Sequence, residues 1–168
     1  ADIDLYEVNE AFAAVVLSVL GYASWQRSAV FADVERLWRA TLAAEPEAWL
    51  AHTNLGNLLA ARGAPDDGIE HHRRAVEIYP DAFESNNALG NYFVRQEDFA
   101  AARRHFERAL QARPQDPLTF NNLGISAGVE GDLRAASGWF EQGLERAPDN
   151  RELQRNLSLL LSSAPDPA

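Results

Sequence analysis

A chain of 168 residues, 46% of them apolar, is within the size of one domain and has enough apolar side chain for a core. It contains no cysteine, which excludes disulfides, thiolate metal sites and cysteine nucleophiles and leaves the compartment open. The formal charge is -10 and every basic residue is an arginine; phosphate binding needs clustered cations, so this balance argues against nucleic acid and for basic or neutral partners.

Methionine is absent even at position 1, so the chain is expected to begin inside a longer or processed polypeptide. Residues 5–25 read as a helix that holds an apolar run at 11–23. The run is shorter than the ~18–20 residues needed to cross a bilayer. Asp2, Asp4, Glu7 and Glu10 stand where a signal peptide would carry basic residues. Packing on the next elements or on a second copy of the chain explains the run; a membrane tether is the alternative. A second helix is predicted over 31–44 and stops before Pro46, so 1–48 form an apolar helix and a divergent leading unit.

From Trp49 onward a fixed period takes over. Leu-Gly recurs at Leu55-Gly56, Leu89-Gly90 and Leu123-Gly124, each 34 residues after the last. Pro46, Pro80, Pro114 and Pro148 keep the same interval. So do the small residues Ala75, Ala109 and Gly143 and the rings of His72, Phe106 and Phe140. Each unit holds two amphipathic stretches: roughly 49–62 with 66–79, 83–96 with 99–113, and 117–130 with 133–147. Turn residues separate them at Gly63-Ala64-Pro65, Gln96-Glu97-Asp98 and Glu130-Gly131-Asp132. Proline ends each second helix because it has no N–H to give. Gly56, Gly90 and Gly124 lie mid-helix, at a cost of ~1 kcal/mol each, which implies that backbones approach closely there. Three units, 49–82, 83–116 and 117–150, are expected, followed by a capping helix over 151–162 and a disordered tail over 163–168.

These residues resemble the tetratricopeptide repeat: an aromatic, Leu-Gly, aromatic, Ala, aromatic, Ala and Pro in 34 residues. The second unit matches with Leu89, Gly90, Phe93, Ala102, Phe106, Ala109 and Pro114. In the first, Gly68 and His72 replace the usual alanine and large ring. In the third, Ala127 replaces an aromatic and Gly143 an alanine, which predicts looser packing there. The resemblance implies an all-α solenoid of antiparallel helix pairs, a right-handed curved stack whose first helices line a concave groove.

Two further resemblances concern the N-terminal part. Trp25-Gln26-Arg27-Ser28, Ala32-Asp33, Leu37 to Leu42, Pro46, Trp49 and Asn54-Leu55-Gly56 are similar to a junction in bacterial multi-pass membrane proteins of the mannosyltransferase type, which carry a repeat domain after their last membrane helix. That would make residues 11–23 the remnant of such a helix. Residues 3–13 resemble a thiolase segment of the Asn-Glu-Ala-Phe-Ala kind; thiolase chemistry needs a cysteine, so no activity is implied.

No phosphate loop, His-Glu-x-x-His, nucleophile elbow or dinucleotide fingerprint is present, and no cofactor is implied. His71 and His105 hold equivalent places in adjoining units and would need Glu70 or Glu107 as a third ligand to hold a metal; they read as half-exposed helix residues instead. Asparagine is the residue that stands out. With Trp49 as position 1, position 6 holds Asn54 and Asn122, position 9 holds Asn57 and Asn91, and position 5 holds Asn87 and Asn121. An amide can both donate to and accept from a peptide backbone, so such a row can grip an extended chain. A similar ladder lines the repeat domain of the O-linked N-acetylglucosamine transferase; the other reading is bonding within the stack. Chaperone-tail-binding repeats use a Lys and Arg clamp, but the matching places here hold Thr53, Asn57, Ala88, Leu118 and Asn122, without a cation.

The expected function is therefore a non-catalytic module that binds a protein or extended peptide, with Leu50, Asn54, Asn57, Glu84, Asn87, Asn91, Arg95, Asn122 and Ile125 as groove candidates. A substrate-presenting domain of a membrane glycosyltransferase and a self-assembly module are the alternatives.

Overall fold

The computed structural model describes residues 33–163. The predicted helix over 5–25, its apolar run, the thiolase-like segment and most of the tail lie outside the described residues. Helix α1 covers 33–44. It is followed by α2 (Trp49–Ala61), α3 (Pro65–Ile78), α4 (Phe83–Arg95), α5 (Phe99–Ala112), α6 (Pro117–Glu130), α7 (Leu133–Arg146) and α8 (Arg151–Ser163). There is no strand among the described residues. The fold is an all-α solenoid, and from α2 to α7 its helix limits fall within a residue of the stretches read from the sequence.

Local chemistry accounts for the limits. Asp98, Asp116 and Asp132 accept from the backbone N–H of Ala101, Thr119 and Ala135, and Asn150 from those of Glu152 and Leu153. Each satisfies donors that a helix start leaves unpaired. The first helix of each pair ends at a residue with positive φ: Gly63 at 85°, Glu97 at 59° and Gly131 at 95°. Glycine adopts that conformation freely, whereas a side chain costs ~1 kcal/mol or more. Glu97→Gly should therefore raise stability by about 1 kcal/mol in a urea titration, and an unchanged midpoint would show that the turn carries no strain.

Consecutive helices pack as antiparallel pairs, α2 with α3, α4 with α5 and α6 with α7, and α8 packs on α7 and α6. The close approach expected at the mid-helix glycines is present. A Cβ on Gly90 would stand 2.4 Å from the Phe106 ring, and one on Gly124 would stand 2.3 Å from that of Phe140. In the first pair the backbones themselves meet: a Cβ on Gly68 would lie 2.6 Å from the carbonyl oxygen of Gly56. The smaller ring of His72 and the absent methyl of Gly68 go together, because both lie against Gly56, whose carbonyl oxygen a methyl on Gly68 would meet.

The third pair is not looser at Gly143. Leu153 of α8 and Phe120 close the space, at 2.8 and 2.9 Å from where a Cβ would be, and both join Phe140, Ala136 and Ala127 in one apolar cluster. The volume lost from one residue is supplied by α8.

Curvature follows from which helices touch. The first helices of successive pairs meet, α2 with α4, α4 with α6 and α6 with α8, while α3, α5 and α7 do not meet one another. The first helices therefore form the inner, concave side. Across the outer part, ion pairs repeat with the period: Arg74 with Glu47 and Arg108 with Asp81 at 3.4 Å. Arg62 pairs with Glu35, and two units on Glu130 pairs with Arg103 at 3.0 Å with the signs exchanged. Exposed pairs of this kind add little stability.

Candidate functional site

Small polar side chains join the inner helices in a buried seam. Thr53 on α2 bonds Ser85 on α4 at 2.8 Å, and Ser85 is 3.1 Å from Nδ1 of His72. Thr119 on α6 donates to Oδ1 of Asn87 on α4 at 3.1 Å, and Asn122 donates to the same oxygen at 3.4 Å. Asn156 on α8 donates to Oδ1 of Asn121 at 2.7 Å, while Asn121 donates to Glu152 at 3.4 Å. No buried side-chain polar atom among the described residues lacks a partner.

The candidates divide accordingly. Asn87 is buried, 6% exposed, and its amide also donates to the carbonyl of Phe83. Glu84 is held by Arg113 at 2.7 Å, whose guanidinium lies 4.0 Å from the centre of the Phe83 ring. Asn57, Asn91, Arg95, Ile125 and Leu50 are exposed. Asn54 and Asn122 are half-buried. Asn57 and Asn91 thus present amides one period apart with no partner among the described residues.

Two clefts open beside these rows. One, of about 360 Å³, lies between α2, α3 and α4 and is lined by Ala60, Pro65, Ile69, His72, Ala88, Asn91 and Arg95. The other, of about 560 Å³, lies between α6, α7 and α8, with walls of Ile125, Val129, Leu133, Phe140, Leu159 and Leu160. Both are within the ~300–1,000 Å³ typical of ligand sites. The apolar walls of the second, Ile125 aside, escaped the sequence reading. Its available signal was the sequence Asn91, Ile125, Leu159 at one repeat position, an amide giving way to aliphatic side chains.

The outer side carries a different repeated device, also missed. His52 Nε2 donates to the carbonyl of Pro46 at 3.1 Å, Asn86 Nδ2 to that of Pro80 at 2.7 Å and Gln154 Nε2 to that of Pro148 at 2.7 Å. Each tie spans six residues and anchors a first helix to the proline turn before it. With its Nε2–H so used, His52 accepts at Nδ1 from His71 at 2.9 Å, and His105 donates to Oδ1 of Asn86 at 3.0 Å. His71 and His105 therefore pair within their own repeats and not with each other. Burial holds both imidazoles below their ordinary range, helped for His71 by neighbouring His52 and Arg39 and for His105 by Arg104 and Arg73. His72, with 2% exposure, is pushed down to about 4, first by burial and then by His71. No cluster of three or more metal-ligating side chains exists among the described residues, and no helix among them is long and apolar enough to cross a membrane.

The comparisons with known proteins agree with this architecture. The Tetratricopeptide repeat family matches over residues 47–115 and, by a second description of the repeat, over 87–151. No curated protein matches by sequence. Among solved structures, MamA is similar at 20% identity and a TM-score of 0.72, over 82% of this chain and 80% of that one. PilF of Pseudomonas aeruginosa gives 21% and 0.71, over 92% of this chain and 69% of its own. The first TPR of Spaghetti (RPAP3), bound to the HSP90 peptide SRMEEVD, gives 19% and 0.62, over 68% and 91%. With the repeat matched from residue 47 to residue 151, the chain belongs to the tetratricopeptide-repeat family.

Proposed function

We propose that this chain is a non-catalytic interaction module that takes an extended segment of a partner protein along its inner face. The observation that carries the reading is the division of labour among the asparagines. Asn87 and Asn121, which join helices, are buried in the seam, while Asn57 and Asn91 are exposed one period apart. An exposed amide can donate to and accept from a passing backbone whatever its side chains. Asn54 and Asn122, half-buried, extend the row. The similarity to a repeat domain bound to a peptide supports the reading, although the places that match a chaperone-tail clamp hold Thr53, Asn57, Ala88, Leu118 and Asn122 here, without a cation.

Catalysis has little to work with. The Ser85–His72 contact is sealed, with 0% and 2% exposure, so a substrate cannot reach the hydroxyl. The remaining depressed histidines serve the outer ties. The test is a pulldown with the wild-type chain beside a variant carrying Asn54→Ala, Asn57→Ala, Asn91→Ala and Asn122→Ala, with circular dichroism to verify folding. The variant should lose the partners that the wild type recovers; equal recovery by both would place the binding elsewhere.

A further inference from the structure

The two inner clefts occupy equivalent places, so their difference in chemistry does not come from the fold. Two periods along, Ala60 becomes Gly128, His72 becomes Phe140 and Asn91 becomes Leu159. No carboxylate lines the first cleft, and none among the described residues pairs with its Arg95. Arg62 and Arg113, by contrast, are neutralised by Glu35 and Glu84. The first cleft thus offers an uncompensated guanidinium next to the Asn91 amide. The last cleft offers Ile125, Val129, Leu133 and Leu159, between 41% and 61% exposed, over Phe140.

Resting on the proposal that the inner face is the binding site, we infer that the guest is an extended peptide with two anchors: an acidic side chain beside Arg95 and a large aliphatic or aromatic side chain in the cleft between α6, α7 and α8. A carboxylate complements the lone cation with charge-assisted hydrogen bonds. An apolar side chain removes from water the walls that the chain itself leaves uncovered. The first helices stack in contact at about 10 Å per step, so two steps set the anchors ~20 Å apart. An extended peptide rises about 3.3 Å per residue, so the anchors are separated by about six residues.

The test is selection from random displayed peptides of about 12 residues, twice the anchor spacing, on three proteins: wild type, Arg95→Glu and Leu159→Asp. Wild type should enrich sequences with Asp or Glu about six residues from Leu, Ile or Phe. Arg95→Glu should exchange the acidic preference for a basic one and keep the apolar anchor, and Leu159→Asp should do the reverse. By fluorescence anisotropy, each variant should bind a wild-type-selected peptide about 10-fold or more weakly. Selected peptides that lose binding in the four-asparagine variant yet share no two-anchor pattern would overturn this inference and leave the inner-face reading standing. Peptides indifferent to the asparagine changes would overturn both. A dimer in sedimentation that Leu159→Asp breaks would put a second copy in the last cleft and also refute the peptide anchor.

Discussion

Replacing Phe106 by alanine should destabilise the protein by about 3–5 kcal/mol, the usual cost of deleting a buried aromatic ring. The ring is 0% exposed, packs with Ala102 and Leu123, and lies over Gly90 at the crossing of α4 and α5. The pairing with Gly90 supplies a sharper test. Gly90→Ala alone adds a methyl 2.4 Å from that ring, an overpacking worth about 1–3 kcal/mol. Helix propensity returns about 1 kcal/mol of it. In the Phe106→Ala background the ring is gone, and the same substitution should become stabilising. A double-mutant cycle in urea should therefore show coupling of about 1 kcal/mol or more; additive effects would mean that glycine there answers to something other than the ring. Since each unit touches only its neighbours, Phe106→Ala should also broaden the transition, as a weak central pair lets the two ends unfold apart.

Acid should weaken the fold through His72. Its imidazole is pushed down to about 4, whereas in the unfolded chain it titrates near the ordinary 6.5. Above pH 6.5 both states hold the neutral ring and this contribution to stability is fully present. As pH falls from 6.5 toward 4 the unfolded chain takes up a proton that the folded chain refuses, and stability drops by about 3 kcal/mol at ~1.4 kcal/mol per pH unit. His71 and His105 are shifted in the same direction and add to the loss. The variant His72→Phe installs the ring type that Phe106 and Phe140 provide in the other pairs. Its unfolding free energy, measured by urea at pH 7.5 and 4.5, should fall by clearly less than the wild type's over that interval. Identical slopes would assign the acid sensitivity to other groups.

The period in the sequence was enough for the fold, because the glycine and ring positions record contacts made inside one helix pair and the prolines mark the turns between pairs. Gly90 with Phe106 and Gly124 with Phe140 are such contacts, 16 residues apart on one hairpin. The site was less legible because its residues answer to neighbouring pairs. Asn87 and Asn91 are the same residue type one turn apart on α4, and the sequence does not distinguish the amide that joins helices from the one that faces solvent. Likewise Gly143 reads as a void until Leu153 arrives from α8. Val129 and Leu133 flank Glu130-Gly131-Asp132, where turn chemistry draws the eye from their exposed apolar side chains. The six-residue ties to Pro46, Pro80 and Pro148 were hidden because His, Asn and Gln do the same work.

Hydrogen bonds link α2 to α4, α4 to α6 and α6 to α8, while α3, α5 and α7 stay clear of one another. Such a stack behaves like a fan pinned along one edge. Changes in its pitch open or close the gaps between the outer blades and leave the pinned edge intact. On the proposed inner-face reading, a thick guest and a thin one could be embraced by the same chain through many small rotations, without unzipping any single joint.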